Sequence, residues 1–292
     1  MRERYLMCRH QASCVVVAAL LAFVSTAALA VEVEVFHADS LAGPMRALKG
    51  AFEAKQPGTV LKLTSGVSKE LAERILKGEA CDVFAPSAPS VINDDLMEKP
   101  IAGSSRLAAT WYVVFSANEM VIVTAKGNPL GIRKAVDLAK PGVRFVRING
   151  EKDLATPRTL EFLKRAATLE GSTPELAGKI ADSAVGEPGK VMNVPGVIEA
   201  VAKGQADASV VYYSAAVAAR NDVEIVRFPA SVNLSDSIRN AATVPGTARN
   251  PAEALQFVRF ILSPEGQEIL RQTGQPPLEP AIRQGAVPAE LR

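Results

Sequence analysis

Cysteine is scarce in this chain of 292 residues: Cys8, Cys14 and Cys81 are the only three. Cys8 and Cys14 lie in a leader-like segment, so the remainder carries one thiol and no intrachain disulfide can staple it. Cys81 sits just before the apolar run Val83-Phe84 and reads as a buried structural thiol. Cys14 is not placed at a lipoprotein cleavage position. Charge of one sign is also lacking. Removing Arg2, Arg4, Arg9 and Glu3 from 33 basic and 31 acidic residues leaves 30 of each. A chain without basic excess lacks the electrostatic footprint of a nucleic-acid binder, so any anion it holds must be met by local geometry. Histidine is nearly absent after the leader, where His37 stands alone. G-x-S-x-G, H-E-x-x-H and phosphate-loop spacings are missing, and Gly186-Glu187-Pro188-Gly189-Lys190 reads as a surface turn. Glu79 and Asp82 flank a turn without the look of a matched acid and base. These absences argue against an enzyme, and no cofactor is expected. No apolar run after the leader reaches the roughly 18 residues of a membrane-spanning helix.

The leader itself is informative. Arg2, Arg4 and Arg9 precede the apolar run Val15 to Val24, and Ala28-Leu29-Ala30 closes it with small residues. Residues 1–30 are therefore expected to be a secretory signal peptide, with a retained anchor as the alternative. Roughly 260 residues remain, which fits two domains of about 100 to 150 residues each.

Short apolar runs alternate with helical periodicity along these residues, the pattern of α/β crossover units and a mostly parallel sheet. Strands are expected at Val31 to Phe36, Val60 to Leu63, Val83-Phe84, Val143 to Val146, Ala208 to Tyr212 and Val223 to Val226. Helices are expected where Leu41, Met45, Leu48 and Phe52 share a face, where Val67, Leu71 and Ile75 recur at steps of four, and over Thr159 to Ala167, Val197 to Lys203 and Pro251 to Leu262. Ser263, Pro264 and Glu265 open a last helix that Gly274 ends. Trp111 to Phe115 and Met120 to Val123, with polar residues between, read as a crossing segment. The fold class is α/β: two doubly wound domains around a central cleft, the first from residues 31–117 and 222–292, the second from 118–221.

Loops at the carboxyl ends of strands in both domains would line such a cleft. They include Asp39-Ser40, Ser65 to Ser68, the loop from Asn149 to Thr159, and Asn193-Val194, with Tyr212 closing a strand. Two of them place serines at the start of helices, where unpaired backbone N–H groups favour an anion.

These segments also carry a resemblance. Phe36-His37-Ala38-Asp39-Ser40-Leu41, Ser65-Gly66-Val67-Ser68, Asp82-Val83-Phe84, Asn193-Val194, Gly204 to Ala208, Val211-Tyr212 and Phe260 to Gln267 together resemble the periplasmic molybdate and tungstate binding proteins of ABC transporters. The resemblance covers nearly the whole chain after the leader. It implies a periplasmic, monomeric solute-binding protein that closes its two domains on a small oxyanion and delivers it to permease subunits. It implicates Ser40, Ser68 or Ser65, the Val194 backbone and Tyr212 as uncharged donors, with a third-loop donor near Thr156 to Thr159. A site of donors without an acceptor would reject an anion that arrives carrying a proton.

Three readings stand beside it. Asp39, next to Ser40, is expected to face solvent or cap the following helix. Arg158 is either a solvated arginine at a helix start or a bidentate partner for a small carboxylate or sulfonate. His37, Tyr212 and Tyr213 are the candidate ligands if the cargo is ferric iron, which requires the strand to end or bulge between the two tyrosines.

Overall fold

The computed structural model describes residues 30–185 and 190–292. The leader up to residue 29 and the turn from Gly186 to Gly189 lie outside the described residues.

The chain opens with β1 (Val31–Ala38), a 3-10 turn over Asp39–Leu41, α1 (Ala42–Lys55), β2 (Thr59–Gly66), α2 (Ser68–Leu76), β3 (Val83–Ala85) and α3 (Pro89–Asp95). Strands β2, β1 and β3 form a parallel sheet in that order, with Val35 opposite both Leu63 and Val83. The periodicity is what buries it. Val33 and Val35 point into the core with Leu41, Met45, Leu48 and Phe52 of the first helical segment, while Leu71 and Ile75 of α2 pack on the other side with Phe36 and Phe84.

Strands β4 (Trp111–Ala117) and β5 (Met120–Ala125) are separated by two residues and belong to different sheets. The second domain then adds α4 (Ala155–Leu169), α5 (Pro174–Asp182), α6 (Val194–Ala202), β6 (Ala208–Tyr212), α7 (Tyr213–Ala218) and β7 (Val223–Val226). Its core includes Met120 to Val123, Phe145, Phe162, Leu163, Val197 and Val210. The first domain is completed by β8 (Arg239–Ala242), α8 (Pro251–Ile261), α9 (Pro264–Gln272) and β9 (Pro277–Gly285). Ser263 caps α9 by accepting from the Gly266 N–H at 3.2 Å, as its helix-start sequence demands.

Three expectations need correction. The sheets are not mostly parallel: β8-β4-β9 and β6-β5-β7 are antiparallel throughout. A chain that leaves a domain on β4 and returns on β8 must run those neighbours in opposite directions. Nor does the chain return at residue 222. Strand β7 pairs with β5, and Val232, Leu234 and Ile238 still pack in the second core, so the return falls between Ile238 and β8. The two crossings lie side by side, with the Asn118 N–H donating to Ile238 O and the Met120 N–H to Asn233 O. Third, Val143 to Val146 forms no ladder but a single parallel bridge, Phe145 to Ala208, ended by the Pro141-Gly142 turn on one side. Its two flanking arginines look elsewhere, Arg144 to Asp207 and Arg147 to the Ala181 carbonyl.

Candidate functional site

A small cavity lies where the two domains meet. Ala38, Asp39 and Ser40 reach it from the end of β1, Gly66, Val67 and Ser68 from the β2–α2 turn, and Ser87 from the loop after β3. The second domain supplies Asp153, Leu154, Val194 and Tyr212. The space this lining leaves is on the order of one water molecule, with no room for a large organic ligand.

Ser40 is 2% exposed, and its Oγ has no hydrogen-bond partner among the described residues. Five buried side-chain oxygens share that condition among the described residues, and Ser40 Oγ is the one that lines the cavity. A buried hydroxyl left unpaired is costly unless something else pairs with it. Its backbone is clamped from behind, since Ser214 Oγ donates to the Ser40 carbonyl at 2.6 Å. Ser68 is also buried, with Ser87 N–H donating to its Oγ at 3.2 Å and the two hydroxyls 3.5 Å apart. It begins α2, whose first turn has no side-chain cap and starts at the cavity lining.

Tyr212 ends β6. Its hydroxyl accepts from Arg158 Nη1 at 2.7 Å, which leaves the phenolic proton free for another acceptor. Burial pushes its pKa up, so the group is a neutral donor at physiological pH. Arg158 is half-buried, and both of its partners belong to residues of the lining. Both of its terminal nitrogens donate to the Ser87 carbonyl at 3.1 Å, so it ties the tyrosine of one domain to the loop after β3 in the other. A second bridge, Lys152 Nζ to Glu73 Oε1 at 2.7 Å, closes the domains further out.

Other candidates fall outside. Ser65 donates its hydroxyl to Asp39 Oδ1, so that proton is spent, and Ser65 does not line the cavity. Asp39 makes no helix cap; it is half-buried at the edge of the lining, and its bond to Ser65 is exposed. Thr156 Oγ1 donates to the Gly150 carbonyl at 2.8 Å and takes no part. Val194 is in the lining at the start of α6, where Asn193 caps by accepting from Gly196 N–H. The strand does end between the two tyrosines, yet their rings part: Tyr213 lies under the Arg227 guanidinium at 4.5 Å, away from Arg158. His37 is buried with Nδ1 2.9 Å from the Ala38 carbonyl, and burial lowers its pKa. The three iron candidates do not converge, and no group of three His, Cys, Asp or Glu able to hold a metal occurs among the described residues. Cys81 is buried and free, as its sequence setting indicates.

Ser87 and Asp153 were not singled out by sequence. Ser87 follows a parallel strand, the same position that identifies the other two serine turns. Asp153 was inside a loop already expected to contribute. Its presence, with Asp39, overturns the expectation of a site without acceptors.

Two α/β domains joined by paired crossings and enclosing a small polar cavity define a two-domain solute-binding protein of the type II periplasmic class. Residues 33–275 match the bacterial extracellular solute-binding protein family, and the chain belongs to it. It is 30% identical over 240 residues to the molybdate-binding protein ModA of Mycobacterium tuberculosis, covering 82% of each chain. Its fold resembles the periplasmic molybdate-binding protein of Azotobacter vinelandii, with a TM-score of 0.64 at 19% identity, covering 83% of this chain and 98% of that one. The sulfate-binding protein SubI of Mycobacterium tuberculosis is similar at a TM-score of 0.63 and 18% identity, covering 86% and 88%. Among the described residues no helix is long and apolar enough to cross a membrane.

Proposed function

We propose that this protein captures a tetrahedral oxyanion of the molybdate type in the cleft and presents the closed form to the permease of an ABC transporter. One observation carries the reading: Ser40 Oγ is buried and unpaired in a cavity shared with Ser68, Tyr212 and the uncapped start of α2. Ser40, Ser68, Tyr212 and the Val194 backbone act as neutral donors, and Arg158 orients the tyrosine. A hydrogen bond to a charged group contributes about 1.5 to 3 kcal/mol, so four of them supply about 6 to 12 kcal/mol against an association cost of about 4 to 15 kcal/mol. Closure of the domains is what the permease reads. The leader directs export to the periplasm, the protein acts as a monomer, and it performs no catalysis. The similarity to a molybdate-binding relative supports this choice of ligand.

Calorimetric titration of the metal-free mature protein with molybdate, tungstate, sulfate and phosphate tests it. Saturable binding of molybdate or tungstate is expected. The absence of heat and of thermal stabilisation with all four refutes it.

A further inference from the structure

The cavity holds two carboxylates as well as its donors, an arrangement that a doubly charged anion would not tolerate if both stayed ionised. Asp39 is already engaged by Ser65. Asp153 is different. Its Oδ1 accepts from the Ala155 N–H at 2.9 Å at the start of α4, and its Oδ2 has no hydrogen bond to any described residue. A carboxyl with one oxygen fixed and the other unused, in the same lining as the buried Ser40 hydroxyl, can share a proton with whatever fills the space.

We propose that the bound oxyanion and the Asp153 carboxyl share one proton, so that capture of a fully deprotonated anion takes up a proton from solution. A ligand that carries its own proton, such as monohydrogen phosphate, satisfies the same pair without uptake. The oxyanion keeps its acceptor oxygens for the serines and tyrosine, and the proton converts a repulsion into a hydrogen bond. This rests on the oxyanion reading above.

The surroundings favour the protonated carboxyl. Burial raises the Asp153 pKa from its ordinary value against the Ala155 N–H bond, which lowers it; Asp39 in the first loop and Glu70 on α2 add to the rise, and Arg158 on α4 opposes it. Glu151 and Lys152 precede it in the loop, with Lys152 drawn to Glu73 on α2. Tyr212 across the cavity stays neutral. His37, near Asp39, is turned to the Ala38 carbonyl.

The test is calorimetry on the mature protein with sodium molybdate and with inorganic phosphate, between about pH 5.5 and 8.5, in buffers of different protonation enthalpy. Molybdate affinity should fall by about tenfold per pH unit above the carboxyl's pKa in the free protein, with close to one proton taken up. Any phosphate binding above about pH 8, where phosphate already carries its proton, should draw none from the buffer. Asp153→Asn should abolish the uptake with molybdate and flatten the pH profile. Molybdate binding without uptake, or uptake undiminished in Asp153→Asn, overturns this inference and leaves the oxyanion reading standing. No binding of either anion at any pH overturns both. Should the variant fail to fold, the wild-type proton count alone decides.

Discussion

Replacing Ser40 by alanine should move stability and affinity in opposite directions. In the ligand-free protein the Ser40 hydroxyl is buried without a partner among the described residues, a state that costs about 1 to 3 kcal/mol. Deleting it should leave the unliganded protein unchanged or more stable by up to that amount. The backbone clamp survives, because Ser214 donates to the Ser40 carbonyl and not to its side chain. At this chain length about 1 kcal/mol shifts the unfolding midpoint by roughly 2 to 4 °C. In the complex the same substitution removes a hydrogen bond to a charged ligand, about 1.5 to 3 kcal/mol, or roughly ten- to 150-fold in Kd. Thermal unfolding across a molybdate series reads both quantities, since the midpoint rises with the logarithm of ligand over Kd. The variant should start at or above the wild-type midpoint and need ten- to 150-fold more molybdate, as a rough range, for the same further rise. A lower ligand-free midpoint with unchanged molybdate affinity would show that Ser40 is a structural hydroxyl, and the reasoning would fail.

Tyr212→Phe should weaken oxyanion binding by about 1.5 to 3 kcal/mol by calorimetry while far-ultraviolet circular dichroism stays native, because Arg158 keeps the Ser87 carbonyl. Unchanged affinity would place the phenol outside the site. Gly43→Val should destabilise the protein by about 1 to 3 kcal/mol in urea unfolding, since a Cβ there meets the Ala218 Cβ at 2.9 Å where α1 packs on α7. His37 is held neutral by burial, so its folded pKa lies below the unfolded value of about 6.5. Below that value the unfolded chain takes a proton that the folded chain does not, so stability should drop as pH falls from about 6.5 toward the folded pKa. His37→Gln should flatten that part of the stability profile, and an identical slope in the variant would assign the effect to other groups.

Much of the fold was legible because its causes are local. Alternation in Val33 and Val35, the four-residue steps of Leu71 and Ile75, and the Ser263-Pro264 helix start all act within a few residues, and the elements formed where those signals lie. The strand at Val143 to Val146 failed for a reason outside its own sequence: a ladder needs a neighbour of matching length, and only Phe145 meets Ala208. The return at residue 222 was misplaced because β7 is equally apolar whichever sheet it joins. Pairing with β5 decided it.

The site divides the same way. By itself the sequence determined two serine-bearing turns at helix starts, a neutral charge balance and a single thiol after the leader, and the absence of familiar enzymatic motifs. Only tertiary structure decided which hydroxyls remain free. Ser65 is spent on Asp39, 26 residues away, whereas Ser68 stays in the cavity and Ser40 Oγ has no partner among the described residues. Arg158 reaches Tyr212, 54 residues away, and Ser87, 71 residues away, and so becomes a brace between domains. Propensity and periodicity are short-range and are written in neighbouring residues. Whether a donor is satisfied depends on what long-range packing brings within about 3 Å of it, and no sequence window contains that information.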